Sequence, residues 1–255
     1  MTQEQHLEMV NPKASFDEYY TLYSPKLYAS LLLKGLNYRL PFDAMTLLRD
    51  YLDRRVIPNS LEVVFLGSGH GLESAVLKYG YSYEDILQCW LDSEPHEHLF
   101  SGGNPRFKIT MVDINEAPLH FAYDVGLCDR FFPCNLREKW QEEIDWLLNN
   151  QTDLLVCVGS TTYIGLDSFK RLVRIVEESK IQYFCFSLLG FISNSYLKIF
   201  NQSNLQLHKL GNVKQRDYKD DREKSSILEN LSIQNRYSIE DEHGLMASIF
   251  IAHKH

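Results

Sequence analysis

LEVVFLGSGHGLESAVLKYG, residues 61–80, sets a short apolar, β-branched run against a helical pattern, with three closely spaced glycines at the junction. The unbroken apolar run over 61–67 predicts a strand covered on both faces, as in a parallel sheet. Working outward, four more strand-like runs follow at 107–112 (closing on Asp113), 130–133, 152–158 and 182–188, separated by helical patterns over 116–125, 137–149 and 167–179. Strands alternating with helices predict right-handed crossovers. Residues 226–239 and 245–253 read as two further strands joined by the turn-prone EDEHG, with no room for a helix between them. The expected fold is therefore α/β: a doubly wound, mostly parallel seven-stranded sheet with a reversed strand in a C-terminal hairpin and helices on both faces.

Upstream, residues 1–14 are polar and expected to be flexible. From Ser15 the chain turns aromatic and helical; Ser15 with Glu18 has capping-box spacing, and Pro25 should restart a helix at its first turn. Leu27, Leu31, Met45, Leu48 and Leu52 recur at helical spacing and should bury one face. The connection over 79–105 is longer than a crossover needs; Tyr83–Leu91 reads as a short helix within it, and the insertion serves either as a lid or as passive length. We expect one domain over 15–255.

The 255 residues carry a net charge of −8, and the densest mixed-charge run, Lys214 to Lys224, nearly cancels itself, so it reads as a solvated loop. Nothing resembles the basic face that phosphate backbone demands. Five dispersed cysteines without a CxxC pair exclude a metal cage and a disulfide framework, and point to a reducing cytoplasm. The N-terminus lacks an apolar signal core, and no apolar run approaches the ~20 residues of a membrane span. Expected partners are a small-molecule substrate, no nucleic acid and no membrane, with a monomer or homodimer as the assembly.

Two signals carry chemistry. Glycines at Gly67, Gly69 and Gly71, with Ser68 and His70 between them, let the main chain turn sharply and let a ligand approach it without meeting a Cβ. A tight structural turn is the competing reading. Asp113 closes the second strand, where a carboxylate can accept both hydroxyl hydrogens of a ribose. Helix capping at Ile114-Asn115-Glu116 is its alternative.

Together these residues resemble the class I S-adenosylmethionine-dependent methyltransferases of small-molecule type, over roughly residues 15–255. The GxGxG motif falls on Gly67, Gly69 and Gly71, and the strand-end acid on Asp113. The resemblance implies S-adenosylmethionine as cofactor, with Asn135 bonding the adenine amino group, Ile114 and Leu136 sandwiching the ring, and Val158, Gly159 and Ser160 bordering the methionine part. It further implies that the helical segment 15–55 folds over the cofactor as a lid, with Tyr20 and Tyr23 hydroxyls on the methionine carboxylate and Arg39 on that carboxylate or an acidic substrate; ordinary packing of the tyrosines is the alternative. Two positions depart from the pattern: Phe65 stands where an acid usually holds the methionine amine, and Cys134-Asn135 replaces the usual acid of the adenine loop. The dinucleotide fingerprint GxGxxG would need a small residue at Leu72, which places NAD(P) second.

Methyl transfer to O or N of a small molecule is the implied activity. A non-catalytic protein on a degenerate methyltransferase fold is the alternative. His70 and Tyr163 are the candidate catalytic groups, although a loop hydrogen bond competes as the role of His70. Thr161, Thr162 and Tyr163 should face substrate beyond the fourth strand; Phe191 and Tyr196 could wall the pocket or simply pack.

Overall fold

The computed structural model describes residues 17–55, 58–92, 103–138, 140–190, 193–233 and 244–254. Among them seven strands, β1 (Leu61–Leu66), β2 (Phe107–Asp113), β3 (Arg130–Pro133), β4 (Leu154–Cys157), β5 (Tyr183–Leu189), β6 (Gln206–Arg216) and β7 (Leu245–His253), form one sheet in the order β3-β2-β1-β4-β5-β7-β6. The first five pair in parallel, and β7 runs antiparallel to both β5 and β6. This is the expected doubly wound α/β sheet with a reversed C-terminal strand. The chain winds outward from β1 in both directions, through β2 on one side and β4 on the other, so a crevice opens beyond the carboxyl ends of these strands.

The period-2 alternation of the strands splits the core by face. Val63, Phe65, Ile109, Met111, Leu154, Val156 and Ile251 pack beneath α1 (Leu40–Asp53), α2 (Leu72–Leu77), α3 (Tyr83–Leu91) and α4 (Glu116–Asp124). Val64, Leu66, Val112, Leu155, Phe184 and Phe186 pack beneath α5 (Glu142–Asn150), α6 (Leu166–Glu178) and α7 (Ser193–Phe200). All five cysteines are free thiols and all are buried. No helix among the described residues is long and apolar enough to cross a membrane. Within the long 79–105 connection, α3 is held by a capping box in which Ser82 accepts from the Asp85 N–H and Asp85 accepts from the Ser82 N–H, each at 3.1 Å.

The N-terminal segment comprises a 3₁₀ turn (Asp17–Tyr20) and one α-turn (Lys26–Tyr28) that widens into a π-helix over Ala29–Lys34. Pro25 sits at its N-cap, close to where it was expected. Met45, Leu48 and Leu52 are buried, but Leu27 and Leu31 are 41% and 39% exposed. The buried stripe lies one position later, at Tyr28, Ala29, Leu32 and Leu33, and simple 3.6-residue spacing does not survive the wider π turn. Ser15 lies outside the described residues.

The C-terminal hairpin also differs from expectation. The partner of β7 is β6, and residues 226–233 of the stretch that reads as strand lie in helix α8 (Asp221–Ile233), while 234–239 lie outside the described residues, so a helix does stand between the paired strands. Edge position hides β6: among the described residues it pairs on one side only, is bulged at Lys209/Gly211 and Lys214/Arg216, and its polar sequence QLHKLGNVKQR lacks a buried face over most of its length. The helix had its own start signal. Asp220 accepts from the Glu223 N–H at 2.8 Å, a cap with an acid three residues on.

Nor is Lys214 to Lys224 a solvated loop. Arg216 and Glu223 bury their side chains to 1% and 4% exposure as a bidentate pair, Nη1 to Oε2 at 2.8 Å and Nη2 to Oε1 at 2.5 Å. The Lys219 N–H adds a third bond to Oε2 at 2.8 Å. Removing one partner strands a buried charge, which costs about 3–5 kcal/mol. Glu223→Ala should lower stability by about that amount, read as a fall in the urea midpoint at unchanged m-value; a loss below about 1 kcal/mol would show that the pair contributes little to the fold.

Candidate functional site

The crevice is a cavity of about 430 Å³, within the range of small-molecule sites. Its floor is the glycine loop after β1. Gly67 has φ +69°, and a Cβ there would fall 2.3 Å from the Ser160 Cβ, so no other residue lets the ends of β1 and β4 approach so closely. The Ser160 hydroxyl uses that approach to donate to the Leu66 carbonyl at 2.5 Å. Opposite, the Gly69 N–H donates to Asp113 Oδ2 at 2.9 Å and the Asn115 N–H to Oδ1 at 2.9 Å. Asp113 is therefore not the N-cap of α4, which is Asn115. Its carboxylate is fixed from two sides, and each oxygen keeps acceptor capacity toward the cavity. Burial raises its pKa, and the backbone donors of Asn115 and Gly69 pull it back.

The other walls come from both ends of the domain core. The N-terminal segment brings Tyr20, Tyr28 and Tyr38, and α3 brings Trp90. His70 anchors this wall to the loop: its Nε2 meets the Leu22 carbonyl at 2.8 Å, and its ring packs against Tyr28, Trp90 and Phe121 at centroid separations of 5.6, 6.2 and 5.7 Å. Burial lowers its pKa to about 4, so it is neutral at physiological pH. The phenols of Tyr20, Tyr28 and Tyr38 are pushed well above their ordinary range by burial and stay protonated. Arg216 reaches the cavity with its guanidinium already committed to Glu223. Asp113 and Glu73 bring carboxyls to the cavity, and the exposed Arg137, bonded to the backbone carbonyls of Tyr163 and Thr162, brings a guanidinium.

Most residues singled out in the sequence converge here. Gly67, Ser68, Gly69 and His70 line the floor; Asp113, Ile114, Asn135 and Leu136 line one end; Gly159, Ser160 and Tyr163 line the β4 side. Ile114 is 60% exposed at the rim while Leu136 is buried, an open apolar slot between the two strand ends. The Asn135 side chain is held locally, donating to Glu138 at 2.8 Å and accepting from the Arg137 N–H at 3.1 Å.

Others do not converge. Gly71 turns inward, where a Cβ would stand 2.7 Å from the Met111 Cε. Tyr23 points outward and donates to Asp124 at 2.8 Å. The Arg39 guanidinium stacks over Tyr83 at 4.7 Å and reaches Asp43 at 3.5 Å, away from the cavity. Thr161 is buried with its hydroxyl on the Cys157 carbonyl at 2.7 Å, and the Thr162 carbonyl accepts from Arg137 at 3.4 Å. Tyr196 packs edge-on against Phe169 at 5.0 Å on the opposite face of the sheet, which is the packing alternative. Phe191 lies outside the described residues.

Glu73, Trp90 and Gln215 line the cavity although no sequence signal marked them. A Glu at the start of a helix normally reads as a solvated dipole partner; Trp90 sits on an insertion, and Gln215 on the edge strand that the pattern concealed.

No protein-family model matches the sequence, and no curated protein does. Among solved structures, the chain is similar to a TehB-like SAM-dependent methyltransferase from Corynebacterium glutamicum, at 10% identity and a TM-score of 0.46 over 83% of this chain and 87% of that one. It is similar to the YcgJ protein of Bacillus subtilis at 11% identity and a TM-score of 0.49, over 83% and 98% of the two chains. It is also similar to the N-methyltransferase NodS from Bradyrhizobium japonicum, solved with S-adenosyl-L-homocysteine, at 9% identity and a TM-score of 0.43, over 83% and 85%.

His70 yields a pH test. Its folded pKa of about 4 lies below the ordinary 6.5, so the native state binds fewer protons than the unfolded chain between these values and stability rises with pH there. The contribution is complete above pH 6.5 and is lost as pH falls toward 4, an effect on the order of 3 kcal/mol. The stability difference between wild type and His70→Asn, from urea titrations at successive pH values, should widen over that window; a constant difference would contradict a buried neutral imidazole.

Proposed function

We propose that the chain is an S-adenosylmethionine-dependent methyltransferase acting on O or N of a small molecule. The observation that carries this reading is the joined floor of the cavity: the Gly69 N–H bonded to Asp113, beside a sheet whose order reverses at that point. The residues fit the group. Asp113 presents acceptor capacity suited to a ribose diol, and the Ile114–Leu136 slot next to it offers two apolar faces to a planar base. From there the cavity runs along Gly67–Gly69 to the β4 end at Gly159 and Ser160. Ser68, Trp90 and Gln215, which line the cavity, each carry a buried side-chain polar atom with no hydrogen-bond partner among the described residues.

Bound there, the cofactor would supply a methyl group on a sulfonium centre that is already a good leaving group. The protein's part is alignment and exclusion of water. Tyr20, Tyr28 and Trp90 wall off solvent, while segment 15–55 serves as the lid and the 79–105 insertion lends Trp90. Tyr163, 41% exposed at the rim, is placed to meet substrate. His70 is assigned to clamping rather than to base catalysis, because its Nε2 is engaged by Leu22 and a group with a pKa near 4 is a weak base at neutral pH. NAD(P) stays second on spacing: its fingerprint would need a small residue at Leu72, which is a buried leucine at the start of α2.

Isothermal titration should show micromolar-range binding of S-adenosylhomocysteine, weakened by about tenfold to a hundredfold in Asp113→Ala, as expected for losing hydrogen bonds to a charged acceptor. NADPH should not bind. No binding of S-adenosylmethionine or S-adenosylhomocysteine by the wild type would overturn the reading.

A further inference from the structure

One cavity group takes no part in the cofactor fit built on Asp113, the glycine loop and the Ile114–Leu136 slot. Glu73, on the first turn of α2, is 5% exposed and lines the cavity, so its carboxyl is more than nine-tenths withdrawn from water. Among the described residues no cation and no side-chain donor meets it; its own backbone N–H is the single favourable contact. Of the groups around it, the Asp113 carboxyl makes matters worse for a negative charge and the others are neutral. Asp113 approaches from β2, Cys157 from β4, and the three neutral phenols Tyr20, Tyr28 and Tyr38 from the N-terminal segment, while His70 in the adjoining loop is uncharged. A buried, unpaired carboxyl of this kind costs stability unless something pairs with it. The natural occupant is a ligand that brings a positive charge.

Resting on the methyltransferase reading, we propose that Glu73 is the counter-ion for the α-ammonium group of the bound cofactor, a role relocated from the end of β1, where Phe65 is sealed in the core, to the first turn of α2. The positions agree with this. Asp113 and the Ile114–Leu136 slot occupy one end of the cavity, and Glu73 belongs to the region bounded by Tyr28, Tyr38 and Cys157, toward β4. A ligand whose ribose sits on Asp113 and whose chain follows the glycine loop delivers its amino-acid end there. Gly159 keeps that end open: at φ +75° it carries no Cβ, and one placed there would stand 2.9 Å from the Tyr38 hydroxyl. Glu62, the other acid of the β1 region, is excluded because it pairs with Lys108 at 3.2 Å and Arg130 at 3.6 Å.

Two probes isolate the contact. S-adenosylhomocysteine carries the amino-acid end; 5′-methylthioadenosine has the same adenosine and thioether without it. Glu73→Gln should weaken S-adenosylhomocysteine by about tenfold or more and leave methylthioadenosine unchanged. Proton release supplies a second readout. Burial holds the Glu73 pKa at about 8 in the free protein, so at pH 7 the carboxyl is largely protonated, and an arriving ammonium drives the proton off. Titrations in buffers of different ionisation enthalpy should report release of about one proton per S-adenosylhomocysteine bound to the wild type. None should be released with methylthioadenosine or by the variant. Equal loss of both ligands in Glu73→Gln, or wild-type affinity for S-adenosylhomocysteine in that variant, would overturn the proposal while leaving the cofactor reading intact. Failure of the wild type to bind either ligand would sink the cofactor reading, and this proposal with it.

Discussion

Between Gly67 and Ser160 there is no room for a methyl group, and the architecture of the cavity depends on that closeness. Because β1 and β4 end within reach of the Ser160–Leu66 hydrogen bond, the loop after β1 must turn across the sheet edge rather than continue upward. The turn carries the Gly69 N–H to the Asp113 carboxylate on the neighbouring strand. One steric allowance thus fixes three strand ends relative to one another. The wall above follows from it as well, since His70 projects from the same turn to hold the Leu22 carbonyl.

Electrostatics then gives the cavity its character. The phenols and the imidazole are all neutral by burial, and the buried guanidinium is matched by Glu223. What remains is the Asp113 carboxylate, the largely protonated carboxyl of Glu73 and the exposed guanidinium of Arg137, set around an aromatic shell. Such a shell raises the cost of any charge inside it, and so makes the interior selective for the sign of what enters.

The legible part of the molecule was the part with strong periodicity. The strands β1, β2, β4 and β5 were marked by largely apolar runs because both faces are buried, and the helices between them by amphipathic spacing, whereas the short edge strand β3 gave a weaker signal. The glycine loop and Asp113 were readable because each demands a particular residue at a particular junction. Three things were concealed, each for a physical reason. β6 is a one-sided edge whose polar residues mimic a loop. α8 carries β-branched and polar residues that look strand-like, although Asp220 and Glu223 spelled out its cap. The N-terminal segment adopts a π turn, and this shifts the buried stripe from Leu27 and Leu31 to Tyr28 and Leu32. Arg39, Tyr23 and Tyr196 show a complementary limit: a residue type suited to a site gives no information on which way its side chain will face.

The five thiols give the protein an unplanned set of internal clocks. Burial pushes Cys89 to about 11 and Cys128 to about 12, so almost none of either is thiolate at neutral pH, and the thiolate is what alkylating reagents attack. Covalent labelling of these sites therefore records only moments when the surrounding structure has come apart. Cys128 follows Leu127, whose carbonyl receives the Ser74 hydroxyl from α2. Its labelling would time departures of the glycine-loop helix from the α4–β3 connection, while Cys89, on α3 beside Trp90, would time the opening of the aromatic wall.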